Sequence, residues 1–159
     1  MGVMLAVQDI EMVGRLLMRD IALTDDGGKT ALRSGDGIEK QSRVQRVLVV
    51  DDERLVADTV CEILKRFHFD ATPCYNGEAA IEAASQACPD FVVSDVMMPK
   101  LNGVETALRI QELCPRTRVL LFSGNAATAD LLKRARAEGH DFELLAKPIH
   151  PEELVRRLQ

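Results

Sequence analysis

The chain has 159 residues, 47% of them hydrophobic and 28% charged, with a formal net charge of -5. That size and composition suit one well-cored soluble domain, and the acidic balance argues against nonspecific nucleic-acid binding, because phosphate backbones select basic surfaces. The apolar stretches fall far below the roughly 20 residues of a membrane span, and Asp9 and Glu11 interrupt the apolar amino terminus, so neither an anchor nor a secretory leader is expected and the cytoplasm is the default location.

Taken in order, residues 1–23 place Ala6, Ile10, Val13, Leu17 and Ile21 at helical spacing, which allows a short amphipathic helix weakened by Gly14. Such a helix serves docking or dimerisation, or is a loosely attached extension. Residues 24–43 are polar, with Asp25-Asp26-Gly27-Gly28 and Ser34-Gly35-Asp36-Gly37, and carry no periodic apolar face. They are expected to form a flexible linker, so 1–44 is an N-terminal extension and 45–159 the folded domain.

From Val47 the pattern alternates strand and helix. Val47–Val50 is a β-branched run that stops at Asp51-Asp52-Glu53, and Leu55, Val56, Thr59, Val60, Ile63, Leu64 and Phe67 then trace one helical stripe. A weaker strand at 70–75 ends in Asn76-Gly77, read as a turn, and an alanine-rich helix runs from Glu78 to Ala87 before Pro89. Phe91–Ser94 is the central strand; it runs into Asp95 and a loop closed by Asn102 and Gly103. A helix follows to Leu113, then a strand at Arg118–Phe122 ending at Ser123-Gly124. Next come a helix at Thr128–Glu138 with Gly139 at its C-terminal stop, a strand at Phe142–Leu145 leading to Lys147-Pro148, and a last helix from Pro151.

Five βα repeats with short connections require parallel strands and right-handed crossovers. The expected fold is α/β, a doubly wound five-stranded parallel sheet. Strand order cannot be taken from this pattern alone, but 2-1-3-4-5, the flavodoxin-like order, is one of the two common solutions. It would set Asp51 and Asp52 beside Asp95 at the carboxyl edge, where open α/β sheets bind ligands. The four cysteines, Cys61, Cys74, Cys88 and Cys114, show neither close pairing nor metal-ligand spacing and are expected to be reduced thiols. His68, His140 and His150 make no metal set.

Three carboxylates in one crevice repel each other; a pair at about 4 Å costs roughly 4 kcal/mol at an effective dielectric of 20. A divalent cation relieves such a cluster, and an all-oxygen, carboxylate-rich donor set suits Mg2+. With Lys147 for charge neutralisation and Ser123 as a hydroxyl donor, the parts match phosphoryl transfer to an aspartate. Each residue also has a plainer role open to it: Asp51 and Asp52 as helix caps, Asp95 as a turn acid, Ser123 as a loop serine, Lys147 as a solvated lysine. The joint arrangement at four strand ends is harder to assign to structure alone.

The motifs Val-Asp-Asp-Glu at 50–53, Asp95-Val-Met-Met-Pro-Lys-Leu-Asn-Gly103, Phe122-Ser123-Gly124 and Ala146-Lys147-Pro148 occur in order. On these, residues 45–159 resemble the receiver domain of two-component response regulators, of the chemotaxis-receiver kind. The resemblance implies the 2-1-3-4-5 sheet. It implies that Asp95 accepts a phosphoryl group from a histidine kinase or histidine phosphotransfer protein. It implies Mg2+ held by Asp52 and Asp95, by Asp51 through a water on the metal, and by the Met97 backbone carbonyl. Lys147 would pair with phosphoryl oxygens, across a cis bond to Pro148, and Ser123 would move toward the phosphoryl group. Such a domain is a phosphoacceptor that signals by protein contact rather than a conventional enzyme, with no direct nucleic-acid or membrane partner expected.

The chain departs from the family at Leu144, where an aromatic switch residue often stands three before the lysine. The helix that ends at Gln159 is short for a complete pairing surface. Met97 and Asn125, two residues after Asp95 and Ser123, are candidates for setting the lifetime of the phosphorylated state. Asp95→Asn is expected to stabilise the metal-free domain. The favoured reading is a single-domain response regulator. A phosphatase with an aspartyl-phosphate intermediate lacks the Asp-x-Asp it would need, since Val96 and Met97 follow Asp95. The sequence is also compatible with a phosphorylation-independent interaction module and with a piece of a larger regulator.

Overall fold

The computed structural model describes residues 43–124 and 128–159. The expectations for the amino-terminal helix and linker, and for Asn125, therefore lie outside the described residues.

Among the described residues, five strands, β1 (Arg46–Val50), β2 (Asp70–Cys74), β3 (Phe91–Asp95), β4 (Arg118–Ser123) and β5 (Glu143–Ala146), alternate with five helices. The helices are α1 (Arg54–Arg66), α2 (Gly77–Gln86), α3 (Gly103–Leu113), α4 (Thr128–Ala137) and α5 (Pro151–Leu158). The strands form one sheet in the order β2-β1-β3-β4-β5, and every pairing is parallel. The doubly wound, flavodoxin-like sheet expected from the sequence is the one observed.

Strand alternation divides the core. Val47, Val49, Phe91, Val93, Leu120 and Phe122 point to one face, where Ala57, Val60 and Leu64 of α1 and Leu154, Val155 and Leu158 of α5 cover them. Leu48, Val50, Val92 and Leu121 point to the other face, against Ala80 and Ala84 of α2, Val104, Ala107 and Ile110 of α3, and Ala135 of α4. A sheet buried on both faces favours apolar residues at successive strand positions, and this explains the apolar run Phe91–Val93 that opens β3.

The face of α1 differs from the expected stripe. Its buried residues are Ala57, Val60, Cys61 and Leu64, whereas Leu55 is 76% exposed. Ala57, Val60, Cys61 and Leu64 keep the i, i+3, i+4, i+7 spacing of one helical face, and Leu55 lies off it. Asn76 and Asn102 also prove to be more than turn residues: each is a helix N-cap. Asn76 Oδ1 accepts from the Ala79 amide at 2.7 Å. Asn102 and Glu105 form a reciprocal capping box, with bonds of 2.9 and 3.1 Å.

Helices α1 and α4 end alike. His140 N–H donates to Ala135 O and Gly139 N–H to Arg136 O; Phe69 N–H donates to Leu64 O and His68 N–H to Lys65 O. These are Schellman stops, with Gly139 at φ 92° and His68 at φ 66° in the left-handed position. Gly139 was legible as a C-terminal stop; His68 was not, since histidine seldom takes that conformation.

The expectation of four thiols is corrected at one pair. Cys88 and Cys114 are joined by a disulfide, with Cα atoms 5.6 Å apart across a separation of 26 residues. Helices α2 and α3 pack so closely that a Cβ on Gly77 would collide with Thr106 Oγ1, and their carboxyl ends bring the two cysteines together. Cys61 and Cys74 remain thiols; burial pushes them up to about 12 and about 11, far from the reactive thiolate range.

Candidate functional site

The carboxyl ends of β1, β3, β4 and β5 converge. Because β1 and β3 are neighbours, with Val50 opposite Ser94, the residues that follow them share one crevice. Asp51, Asp52 and Asp95 each place a carboxylate oxygen within 4.8 Å of the others. Asp51 is 3% exposed and Asp95 8%, while Asp52 faces solvent. Lys147 Nζ stands 3.2 Å from Asp95 Oδ1 and 3.9 Å from Asp51 Oδ2.

Local structure explains why these side chains sit where they do. The Asp51 amide donates to Cys74 O, which extends the β1–β2 ladder by one residue into the crevice. Asp51 Oδ1 accepts the Glu53 amide at 2.9 Å. The N-cap of α1 is Glu53, with no side-chain cap bond, so neither Asp51 nor Asp52 is that helix's N-cap. The Val96 amide donates to Phe122 O and the Gly103 amide to Val96 O. A Cβ on Gly103 would collide with the Asp95 carbonyl oxygen, so the start of α3 must carry glycine to press against the backbone of Asp95. Val96 and Met98 are buried and tether the loop after β3, and Met97 between them is 50% exposed.

Lys147 follows β5, and its amide donates to Ser123 O at 2.9 Å. The Lys147–Pro148 bond is cis, as expected. Ser123 closes β4 opposite Ala146, and its hydroxyl is hydrogen-bonded to that of Thr128, the first residue of α4. Thr128, which is 1% exposed, did not stand out in the sequence; a threonine at the start of a helix reads as an ordinary cap. Leu144 is 41% exposed, with its backbone paired to Leu121.

The electrostatics single out Asp51. Its carboxyl is raised to about 6, first by burial, with smaller upward contributions from Asp95 and Asp52; the Glu53 amide and Lys147 pull the other way. Asp51 Oδ2 is buried and has no hydrogen-bond partner among the described residues. A desolvated carboxylate oxygen without a donor, beside two further carboxylates, fits a hard divalent cation of the Mg2+ kind, which binds oxygen and neutralises charge. Among the described residues, Lys147 is the cation paired with these acids, one positive charge against three carboxylates.

The chain belongs to the response regulator receiver domain family, whose model matches residues 47–159. Receiver domains are signalling domains of two-component systems, and phosphorylation and Mg2+ binding are general features of the family. Among curated proteins, the chain is 36% identical over 113 residues to the probable transcriptional regulatory protein TcrX of Mycobacterium tuberculosis, covering 71% of this chain and 47% of that protein. It is 28% identical over 115 residues to the chemotaxis protein CheY of Thermotoga maritima, covering 72% and 94%. It thus spans about half the length of TcrX and nearly all of that CheY. Among solved structures, chemotaxis protein CheY4 of Vibrio cholerae superimposes with a TM-score of 0.64 at 29% identity, covering 73% of this chain and 97% of that one. A receiver domain protein from Clostridium thermocellum gives 0.66 at 24% identity, covering 72% and 91%, and shares the fold. No helix among the described residues is long and apolar enough to cross a membrane.

Proposed function

We propose that residues 45–159 act as a phosphoacceptor receiver in which Asp95 takes a phosphoryl group from a histidine kinase or histidine phosphotransfer protein. The observation that carries this reading is the ion pair of Lys147 with Asp95, 3.2 Å long, inside a cluster of three carboxylates at one sheet edge. A carboxylate oxygen of Asp95 attacks the phosphorus of a phosphohistidine. The new O–P bond forms as the N–P bond breaks, and the imidazole nitrogen leaves with the electron pair and takes a proton from solvent.

The chain's own residues position and neutralise. Lys147 holds Asp95 in place before transfer and offers its ammonium to the phosphoryl oxygens afterwards. Asp51, Asp52, Asp95 and the Met97 carbonyl would hold Mg2+, which supplies the positive charge that one lysine cannot. Ser123 donates its hydroxyl to a phosphoryl oxygen once one is present. Met97, whose side chain is half exposed, limits the approach of the water that would remove the group. The phosphorylated form signals by altered protein contact, a local charge event read at a distance, with Leu144 in place of an aromatic switch. Amino-terminal residues 1–44 are an extension to this domain.

The test is incubation with Mg2+ and a small acyl phosphate, followed by intact mass, beside Asp95→Asn. One phosphoryl group added to the wild type alone, and abolished by chelator, supports the reading; no addition from either an acyl phosphate or a phosphorylated histidine donor refutes it. A second reading, in which this receiver operates within a longer regulator, is favoured by the 47% coverage of TcrX. The neighbouring coding sequence discriminates the two.

A further inference from the structure

The mechanism uses the hydroxyl of Ser123 but not Thr128, whose hydroxyl it meets. Ser123 is 7% exposed and Thr128 1% exposed, and their hydroxyls are hydrogen-bonded to each other, with either able to donate. The backbone of Ser123 is fixed: it pairs with Ala146, and its carbonyl accepts the Lys147 amide at 2.9 Å. Only rotation of the side chain can redirect its hydroxyl. A serine hydroxyl carries a single proton, so donating to Thr128 and donating to a phosphoryl oxygen exclude each other.

We propose that Ser123 donates to Thr128 in the unphosphorylated protein and that Thr128 is thereby a positioning residue for the phosphoryl switch, holding the Ser123 hydroxyl in a competing hydrogen bond that must be exchanged when Asp95 is phosphorylated. The proposal rests on the reading of Asp95 as phosphoacceptor. The exchange has a direction, because a hydrogen bond to an anionic phosphoryl oxygen is roughly twice as strong as one between neutral hydroxyls. It also has a consequence. Thr128 opens α4, so the loss of its partner is felt at the first turn of that helix.

The test is a double-mutant cycle read by calorimetric titration with beryllofluoride, a phosphoryl mimic, in Mg2+. The proteins are wild type, Thr128→Val, Ser123→Ala and the double variant. Removing the competing hydroxyl is expected to tighten binding roughly 2- to 10-fold, the range of one net hydrogen bond. In the Ser123→Ala background the same substitution is expected to change nothing, and Thr128→Ser is expected to behave as wild type. The Thr128 methyl resonance of the wild type should shift on titration and stay still in Ser123→Ala. Should the valine variant not fold, Thr128→Ala removes the same hydroxyl and takes its place. An equal effect in both Ser123 backgrounds would assign Thr128 a packing role and overturn the proposal, as would no effect in either. Wild type that binds no beryllofluoride would instead overturn the phosphoacceptor reading, and this proposal with it.

Discussion

Lys147 Nζ lies 3.2 Å from Asp95 Oδ1, and this pairing leaves Asp51 as the less well compensated of the two buried acids in the crevice. The distance from Lys147 to Asp51 Oδ2, 3.9 Å, is too long for a hydrogen bond. The repulsion among three carboxylates is therefore unequally shared. Asp95 has a cation, Asp52 has solvent, and Asp51 has a raised carboxyl and a buried oxygen with no donor among the described residues.

The first prediction follows from that inequality. Removing Asp95 removes an attractive contact along with the repulsion, so the stabilisation expected from Asp95→Asn on repulsion alone is reduced by the lost ion pair. Asp51→Asn keeps an acceptor for the Glu53 amide and removes the desolvated charge. In urea melts at neutral pH with chelator present, Asp51→Asn should gain about 1–3 kcal/mol and exceed Asp95→Asn. The reverse ranking would contradict the assignment of strain to Asp51.

The pH dependence has a definite sign. Asp51 binds its proton more tightly in the folded chain, at about 6, than at the ordinary aspartate value of 3.8. Between these two values the folded state holds more protons than the unfolded one, so this group's contribution makes stability fall as pH rises. Below about 4 the penalty is absent, and above about 6 it is complete. Chelated wild type compared with Asp51→Asn should diverge across that window and run parallel outside it; curves parallel throughout would rule the effect out.

Metal binding should act against the same penalty. Millimolar Mg2+ is expected to raise the melting temperature of the wild type, since a ligand bound only by the folded state stabilises it by mass action. The increase should shrink in Asp51→Asn and Asp95→Asn. A melting temperature indifferent to Mg2+ in the wild type would remove the cation from the account.

Met97 carries a kinetic prediction. Its side chain is half exposed beside a tethered loop, flanked by buried Val96 and Met98, so it can be exchanged without opening the core. Met97→Asn should hasten loss of the phosphoryl group several-fold by admitting water to the line of attack, with uptake little changed. An unchanged decay rate would free Met97 from this role.

Much of the fold, and the grouping of residues at the candidate site, was legible in the sequence because buried parallel strands leave an unmistakable signal. Val47–Val50, Phe91–Val93 and Val119–Phe122 are apolar throughout, each leads within two residues to Asp51, Asp95 or Ser123, and those residues lie at one edge of the sheet. What escaped was decided by contact rather than pattern. The stripe on α1 was drawn through Leu55 because apolar residues lie on two adjoining faces, and only packing selects Ala57 and Cys61. Gly103 looked like a turn residue, whereas its absent side chain makes room for the Asp95 carbonyl. The Cys88–Cys114 bridge joins two helix ends that only the α2–α3 packing brings together. Thr128 meets Ser123 across a strand-to-helix connection, a relationship no periodicity records.

The most direct test of the central claim is to locate the phosphoryl group. After incubation with Mg2+ and an acyl phosphate, borohydride reduction converts an aspartyl phosphate to homoserine, and peptide mass mapping then finds the altered residue. The account predicts homoserine at position 95 alone, and none when Lys147 is replaced by alanine or Mg2+ is withheld. Modification at Asp51 or Asp52 in the intact protein, with Asp95 untouched, would contradict it.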